Sequence, residues 1–202
     1  ALSAGPWPLG HWATGPLDGL MAVSVGLEIG SAAVRAVLLD PRSKPPRLLA
    51  AIGAPWNGTG GEELLRAIQQ VRRAYFYSEQ AHDGQKRRSG EAYVTHPLAV
   101  ARILSEHSLD YHSLIAALLH DVIEDTPVKA EAIRGSFGDY VGDLVEALTD
   151  PPGLSYRALK DNQYERFLNA TPEVKALKAA DMLYNIYDKM ACIREGQDPW
   201  SI

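Results

Sequence analysis

His120 and Asp121 stand side by side at the end of an apolar run, Ala116-Ala117-Leu118-Leu119. Neighbouring residues on a helix point about 100° apart, so an imidazole and a carboxylate at a helix end can converge on one point. The apolar run predicts burial, and a charged Asp withdrawn from water needs a partner, for which a metal cation is suited. Imidazole with carboxylate favours Mn, Fe, Zn or a similar first-row ion over an all-oxygen or all-thiolate site. Two further groups of the same kind are available: His96, beside Pro97, and Asp181, within Leu177-Lys178-Ala179-Ala180-Asp181-Met182-Leu183. Two His and two Asp would leave an octahedral ion with positions open for water and a phosphate oxygen. Singly, each residue has a plainer reading; Asp181, for example, could be a buried carboxylate paired with Lys178. Their combination is what points to a metal.

Spacing adds candidates around this set. Glu124 lies four residues after His120, Asp125 four after Asp121, and Asn185 four after Asp181. Each pair shares a helix face if its helix continues. Glu124 and Asp125 could then orient or deprotonate a water, and Asn185 could bond a substrate or a ligand. Lys86-Arg87-Arg88-Ser89-Gly90, shortly before His96, is the densest positive cluster in an acidic chain. It suits a phosphate-bearing ligand, and a guanidinium can also stack on a base. A second His-Asp pair, His82-Asp83, reads as polar residues at a helix end. His107 and His112 flank a turn and are expected in solvent.

The elements that must position these groups are mostly helical. Apolar residues at Leu64, Leu65, Ile68, Val71 and Tyr75 predict a helix that stops near Gly84. Pro97 suits the first turn of a second helix, and Asp110 can cap a third that carries Leu114, Ile115, Leu118, Leu119 and Val122. Further helices are expected at 129–136, 139–149 and 155–169, and a last one from Pro172 to about Met190. Before residue 60 the character differs. Residues 1–20, rich in Gly, Pro and Trp, read as an irregular arm, although Met21 could be a natural start. Runs at 22–29, 33–39 and 48–52 read as a β-hairpin or three-strand meander. The expectation is a mainly α bundle of six or seven helices with a small β appendage, divided as residues 1–58 and 59–202.

Composition narrows the classes. A net charge of −5 gives the molecule as a whole no attraction to nucleic acid or acidic membranes. No run reaches the ~18 apolar residues of a membrane span. The first 17 residues hold no Lys or Arg, so a secretory signal would lack its basic region. Cys192, the single cysteine, can form no internal disulfide. These features together read as cytoplasmic.

The stretch Ala81-His82-Asp83-Gly84-Gln85-Lys86-Arg87-Arg88-Ser89-Gly90-Glu91-Ala92-Tyr93-Val94-Thr95-His96-Pro97 resembles the start of the hydrolase domain of the Rel/SpoT alarmone enzymes, an HD-type phosphohydrolase fold. Leu118-Leu119-His120-Asp121-Val122-Ile123-Glu124-Asp125-Thr126 and Lys178-Ala179-Ala180-Asp181-Met182-Leu183-Tyr184-Asn185 resemble its later motifs. The resemblance covers residues 62–190 and implies an all-α fold with one Mn²⁺ that removes the 3′-pyrophosphate from ppGpp and pppGpp. It implies metal ligands at His96, His120, Asp121 and Asp181, and a catalytic pair at Glu124 and Asp125. It places Lys86, Arg87 and Arg88 on the nucleotide, with Arg87 stacking on guanine, and Ser89, Asn185 and Asp188 along the nucleoside. The short link from Asp121 to Asp181, and Tyr184 before Asn185, look more like the small stand-alone hydrolases. Met182 and Tyr187 depart from the family pattern, which has basic residues there. Separately, Val25 to Leu39 resembles the first hairpin of actin-like ATPases, but with Glu28 where they have Asp and without room for their other motifs.

Three readings follow. The first is the Mn²⁺-dependent alarmone pyrophosphohydrolase. The second is an HD phosphohydrolase for another nucleotide or a phosphorylated cofactor, favoured by Met182 and Tyr187. The third is a non-catalytic nucleotide-binding module. Oligomeric state, the role of residues 1–58 and whether the chain is part of a longer protein are not given by the sequence.

Overall fold

Asp110 sets the position of the central helix. In the computed structural model its backbone is extended (φ −66°, ψ 164°) and its Oδ1 accepts from the amides of His112 (2.8 Å) and Ser113 (3.1 Å). These two amides open helix α3 (Tyr111–Leu119) and would otherwise lack acceptors. From Ser113 to Leu119 every residue of α3 is buried, as the unbroken apolar run from Leu114 onward requires. The structure describes the backbone of four strands within the first 55 residues, and residues 61–87, 90–105, 107, 110–194, 196 and 198.

Around α3 stand helices whose apolar residues recur on one face. Helix α1 (Gly61–Ala81) turns Ala67, Ile68, Val71, Ala74 and Tyr75 inward. Helix α2 (Thr95–Ser105) buries His96, Pro97, Val100, Ala101 and Leu104. After α3 come the single turn α4 (Val122–Asp125), α5 (Ala130–Phe137) and α6 (Asp139–Leu148). Gly138, at φ +89°, makes the tight junction between the last two, a backbone region that costs a glycine little. Helix α7 (Tyr156–Asn169) has no buried residue. It is held by Arg166, whose guanidinium donates to the carbonyls of Thr149 (2.9 Å), Glu146 (3.1 Å) and Ala147 at the end of α6. Helix α8 (Pro172–Arg194) buries Val174, Leu177, Ala180 and Asp181, while Met182, Leu183, Ile186, Tyr187, Met190 and Ile193 face outward.

The described residues thus form seven helices of eight residues or more plus one turn, the mainly α bundle expected. The β runs pair as an antiparallel sheet in chain order: β1 (Trp12–Ala13), β2 (Val25–Ile29), β3 (Ala33–Asp40) and β4 (Arg47–Pro55). The expected meander is β2 to β4; β1 was read as part of the irregular arm, whose other residues lie outside those described. Chain composition alone does not foretell that a two-residue segment will pair.

Loss of the α3 cap gives a direct test of this arrangement. Asp110→Ala should lower unfolding stability by about 1 kcal/mol, and Asp110→Asn should recover most of it. Urea denaturation followed by circular dichroism reads the difference; an unchanged midpoint for the alanine variant would show that the cap does not hold α3.

Candidate metal centre

The helical periods that bury α2 and α8 also turn His96 and Asp181 inward, because each lies in register with the apolar face of its own helix. α3 delivers the other two groups at its end. Its helix stops at Leu119, and His120 and Asp121 form a turn, with Asp121 at φ −89°, ψ −8°, before the chain re-enters a single turn as α4. The four side chains converge. His96 Nε2 lies 3.4 Å from Asp121 Oδ2 and 3.4 Å from Asp181 Oδ1. His120 Nε2 lies 3.0 Å from Asp121 Oδ1 and 3.9 Å from Asp181 Oδ1. Within the group, one ligand atom each from His96, His120 and Asp181 falls within 4.8 Å of the others.

The imidazole orientation suits a cation. His120 Nδ1 lies 2.7 Å from the carbonyl oxygen of Ala117, an acceptor only, so Nδ1 carries the proton. That leaves the Nε2 lone pair aimed into the group, where Nε2 is buried beside the carboxylates of Asp121 and Asp181 and has no hydrogen-bond partner among the described residues. This is the second-sphere arrangement that fixes a ligating histidine. Two imidazole nitrogens and two carboxylates on three separate segments make a donor set that fits one divalent ion.

Charge is strongly coupled here. Burial opposes protonation of His120, but the adjacent carboxylates of Asp121 and Asp181 outweigh it and lift its pKa to about 9. Burial likewise works against charge on Asp181, yet its bond with His96 and the charges of His120 and Lys178 bring it down to about 2. Asp121 is also held well below the usual carboxylate range, its burial overcome by His120 and His96. Lys178 Nζ donates to Asp181 Oδ2 at 3.1 Å, and Asn185 Nδ2 to Asp181 Oδ1 at 2.6 Å. The pairing of Asp181 with Lys178 therefore exists alongside the histidines rather than in place of them.

Glu124 and Asp125 were expected to share faces with His120 and Asp121 if the helix continued; it is interrupted at the turn, yet Asp125 still falls beside Asp121. The Glu124 carboxylate accepts from the Asp150 amide at 3.0 Å, and burial together with nearby acidic charge raises its pKa. Asp125 keeps one helical bond to Asp121 (2.9 Å, amide to carbonyl) and meets its carboxylate through Tyr93, whose hydroxyl lies 2.9 Å from Asp121 Oδ2 and closer still to Asp125 Oδ2.

The residues on either side of the basic segment pair as a small hairpin, with Lys86 bridged to Ala92, the Arg87 amide donating to the Glu91 carbonyl and Lys86 itself exposed. Arg87 is drawn inward: it pairs with Asp188 at 3.1 Å, and its guanidinium carbon lies 5.7 Å from the ring centroids of both Tyr93 and Tyr184. Tyr184 in turn packs 5.0 Å from the His96 ring. Arg88 and Ser89 lie outside the described residues. His82 does stand at the end of α1, but it is buried: it is 3% exposed and stacks on Tyr93. His107 is exposed, while His112 is partly covered, 3.9 Å from the ring of Tyr111. Tyr93, Gln85, Tyr184 and His82 are members that spacing missed. An aromatic residue three before His96 was the available signal, but nothing in spacing shows where a tyrosine hydroxyl will end.

Residues 74–187, more than half of the chain, match the family model described as HD domain, and the chain belongs to the HD-domain family. Within it the chain falls in the Rel/SpoT branch. It is 50% identical over 100 residues to the bifunctional (p)ppGpp synthase/hydrolase SpoT of Escherichia coli, covering 50% of this chain and 14% of that protein. It is 40% identical over 121 residues to a guanosine-3′,5′-bis(diphosphate) 3′-pyrophosphohydrolase of Aquifex aeolicus, covering 58% and 17%. The chain thus spans less than a fifth of the length of these relatives. A solved structure described as a metazoan ortholog of SpoT that hydrolyzes ppGpp and plays a role in starvation responses is 33% identical, with a TM-score of 0.57, over 60% of this chain and 71% of that one. No helix of the described residues is long and apolar enough to cross a membrane.

The raised His120 pKa fixes a pH dependence for the metal-free protein. Its unfolded value is 6.5 and its folded value about 9, so its stabilising charge is fully present below 6.5 and is lost as pH rises through 9. The melting temperature of chelator-treated protein should fall between pH 6.5 and 9.5, less so in Asp121→Asn. A flat profile across this window would show that His120 does not carry the charge.

Proposed function

We propose that this chain is a metal-dependent phosphohydrolase that removes the 3′-pyrophosphate of ppGpp and pppGpp, yielding GDP or GTP and pyrophosphate. The observation that carries this reading is the buried convergence of His96, His120, Asp121 and Asp181, with the His120 Nε2 lone pair free to bind and two further carboxylates beside it. The names of its relatives supply the substrate class. Mn²⁺ is the proposed ion and the cytoplasm the proposed compartment. Residues 59–202 are proposed as the catalytic unit, and residues 1–58 as an appendage.

His96, His120, Asp121 and Asp181 would hold the ion. When bound, such an ion neutralises phosphoryl charge and makes water a better nucleophile. The chain does the rest. Asp125, and Glu124 with its raised pKa, would take the proton of the attacking water; an acceptor raised toward neutrality is effective at physiological pH. The water oxygen would add to the phosphorus bonded to the 3′ oxygen, that P–O bond would break, and the 3′ oxygen would leave with a proton. Arg87, with N–H donors beyond the one given to Asp188, would face the nucleotide, and Lys86, Arg88, Ser89, Asn185 and Asp188 would complete its surroundings.

A second reading, an HD phosphohydrolase for another nucleotide or phosphorylated cofactor, rests on Met182 and Tyr187, both more than half exposed on α8 where the family pattern has basic residues.

Ion-exchange analysis of ppGpp incubated with Mn²⁺-loaded protein should show GDP and pyrophosphate, and the chelated control should leave it intact. Intact ppGpp with metal bound stoichiometrically would move the function to the second reading, with a dNTP and NADPH as the next substrates. Asp121→Ala should lose metal and activity together, and Glu124→Gln should keep the metal but lose turnover by roughly a hundredfold or more. Arg87→Ala should raise KM for ppGpp about tenfold with metal content unchanged; an unaltered KM would remove Arg87 from the nucleotide contacts.

A further inference from the structure

Asp125 is poorly held by its own element. α4 is a single turn whose one buried residue is Val122, and Asp125 itself is exposed. Two contacts from outside fix it. Gln85 Nε2 donates to the Asp125 carbonyl oxygen at 2.8 Å across 40 residues of sequence, and Tyr93 OH donates toward its carboxylate. Both contacts lead back to one residue.

That residue is His82. A carbonyl cannot donate, so the Gln85 amide nitrogen must face Asp125, and its Oε1 must face His82 Nδ1, 2.8 Å away. Nδ1 therefore carries the proton. The other nitrogen, Nε2, is buried and has no hydrogen-bond partner among the described residues. An unpartnered acceptor there costs less than an unpartnered N–H, which again places the proton on Nδ1. The same imidazole lies flat on the Tyr93 ring, centroids 4.5 Å apart and planes at 19°. His82 thus fixes the plane from which the Tyr93 hydroxyl reaches Asp121 and Asp125.

We infer that His82 is a positioning residue for Asp125, acting on its main chain through Gln85 and on its carboxylate through Tyr93. The inference rests on the proposed role of Asp125 in handling the attacking water. It gives a task to a buried histidine that holds no place in the metal group, and it ties the root of the basic hairpin to the carboxylate end of the site. Small displacements of a group that must meet a water in line cost rate steeply.

The test uses the full chain with Gln85→Met, His82→Phe and the double variant. Gln85 is only partly buried, and Phe keeps the stack on Tyr93 while deleting the Nδ1–H. With Mn²⁺ and ppGpp, each single variant should lose about ten- to a hundredfold in kcat, with KM and metal affinity within about twofold of wild type. The double variant should be no worse than the poorer single one, since both break one chain of contacts. Wild-type kcat in both single variants, or losses that multiply in the double, would overturn the inference. ¹⁵N spectra separate this from the substrate question. His82 should show the Nδ1–H form, and the Asp125 amide should shift in His82→Phe. If wild type leaves ppGpp intact, the proposed function falls while these two signals still decide the positioning: an Nε2–H histidine or an unmoved Asp125 amide would overturn it.

Discussion

Two carboxylates and two imidazoles share a space with little access to water, and the bundle is organised around keeping that group charged. Removing one partner of such a buried set leaves an uncompensated charge at a cost of about 3–5 kcal/mol. The surrounding polar contacts answer this constraint. Lys178 and Asn185 donate to the oxygens of Asp181, the Tyr93 hydroxyl lies between the carboxylates of Asp121 and Asp125, and the Ala117 carbonyl accepts from His120 Nδ1. The apolar character of α3 follows from the same need: a helix buried from Ser113 to Leu119 excludes water from its end and so strengthens every interaction made there.

The break after Leu119 divides the site into two mechanical parts. His96 and Asp181 are carried on helices whose apolar faces fix their rotation, and His120 and Asp121 sit at the turn itself. After it, Glu124 and Asp125 ride on a single turn and depend on partners from elsewhere: the Asp150 amide for one, Gln85 and Tyr93 for the other. A continuous helix would have placed both carboxylates by its own geometry. The turn instead leaves both carboxylates to outside partners, one of which, Tyr93, also meets Asp121.

Legibility followed the same division. His96 stood out because it opens a helix beside Pro97, Asp181 because it lies among apolar neighbours, and His120-Asp121 because an apolar run ends there. The helices were readable from their apolar spacing, and the Asp110 cap from its residue type. Tyr93, Gln85 and His82 were not, because their roles arise from contacts between a short hairpin, a helix end and a turn, where no period links sequence to direction. His82 was read as a polar residue at a helix end, and a His-Asp pair there carries no sign of the aromatic ring that covers it. The bond from the Asp150 amide to Glu124 was not legible, because it joins two segments 26 residues apart.

Arg87 shows how the basic hairpin is joined to this frame. A lone surface arginine would be a diffuse charge; this one is pinned by Asp188 and set against Tyr93 and Tyr184. Each ring also touches the core of the site, Tyr93 through the two carboxylates and Tyr184 through the face of His96. The guanidinium is therefore held by groups that themselves depend on the buried histidines and aspartates being in place. A planar cation fixed in this way loses less freedom on meeting a phosphate or a base than a free side chain would. Affinity at the hairpin and geometry at the buried group are thus coupled through two tyrosines, and a change in either ring reaches both.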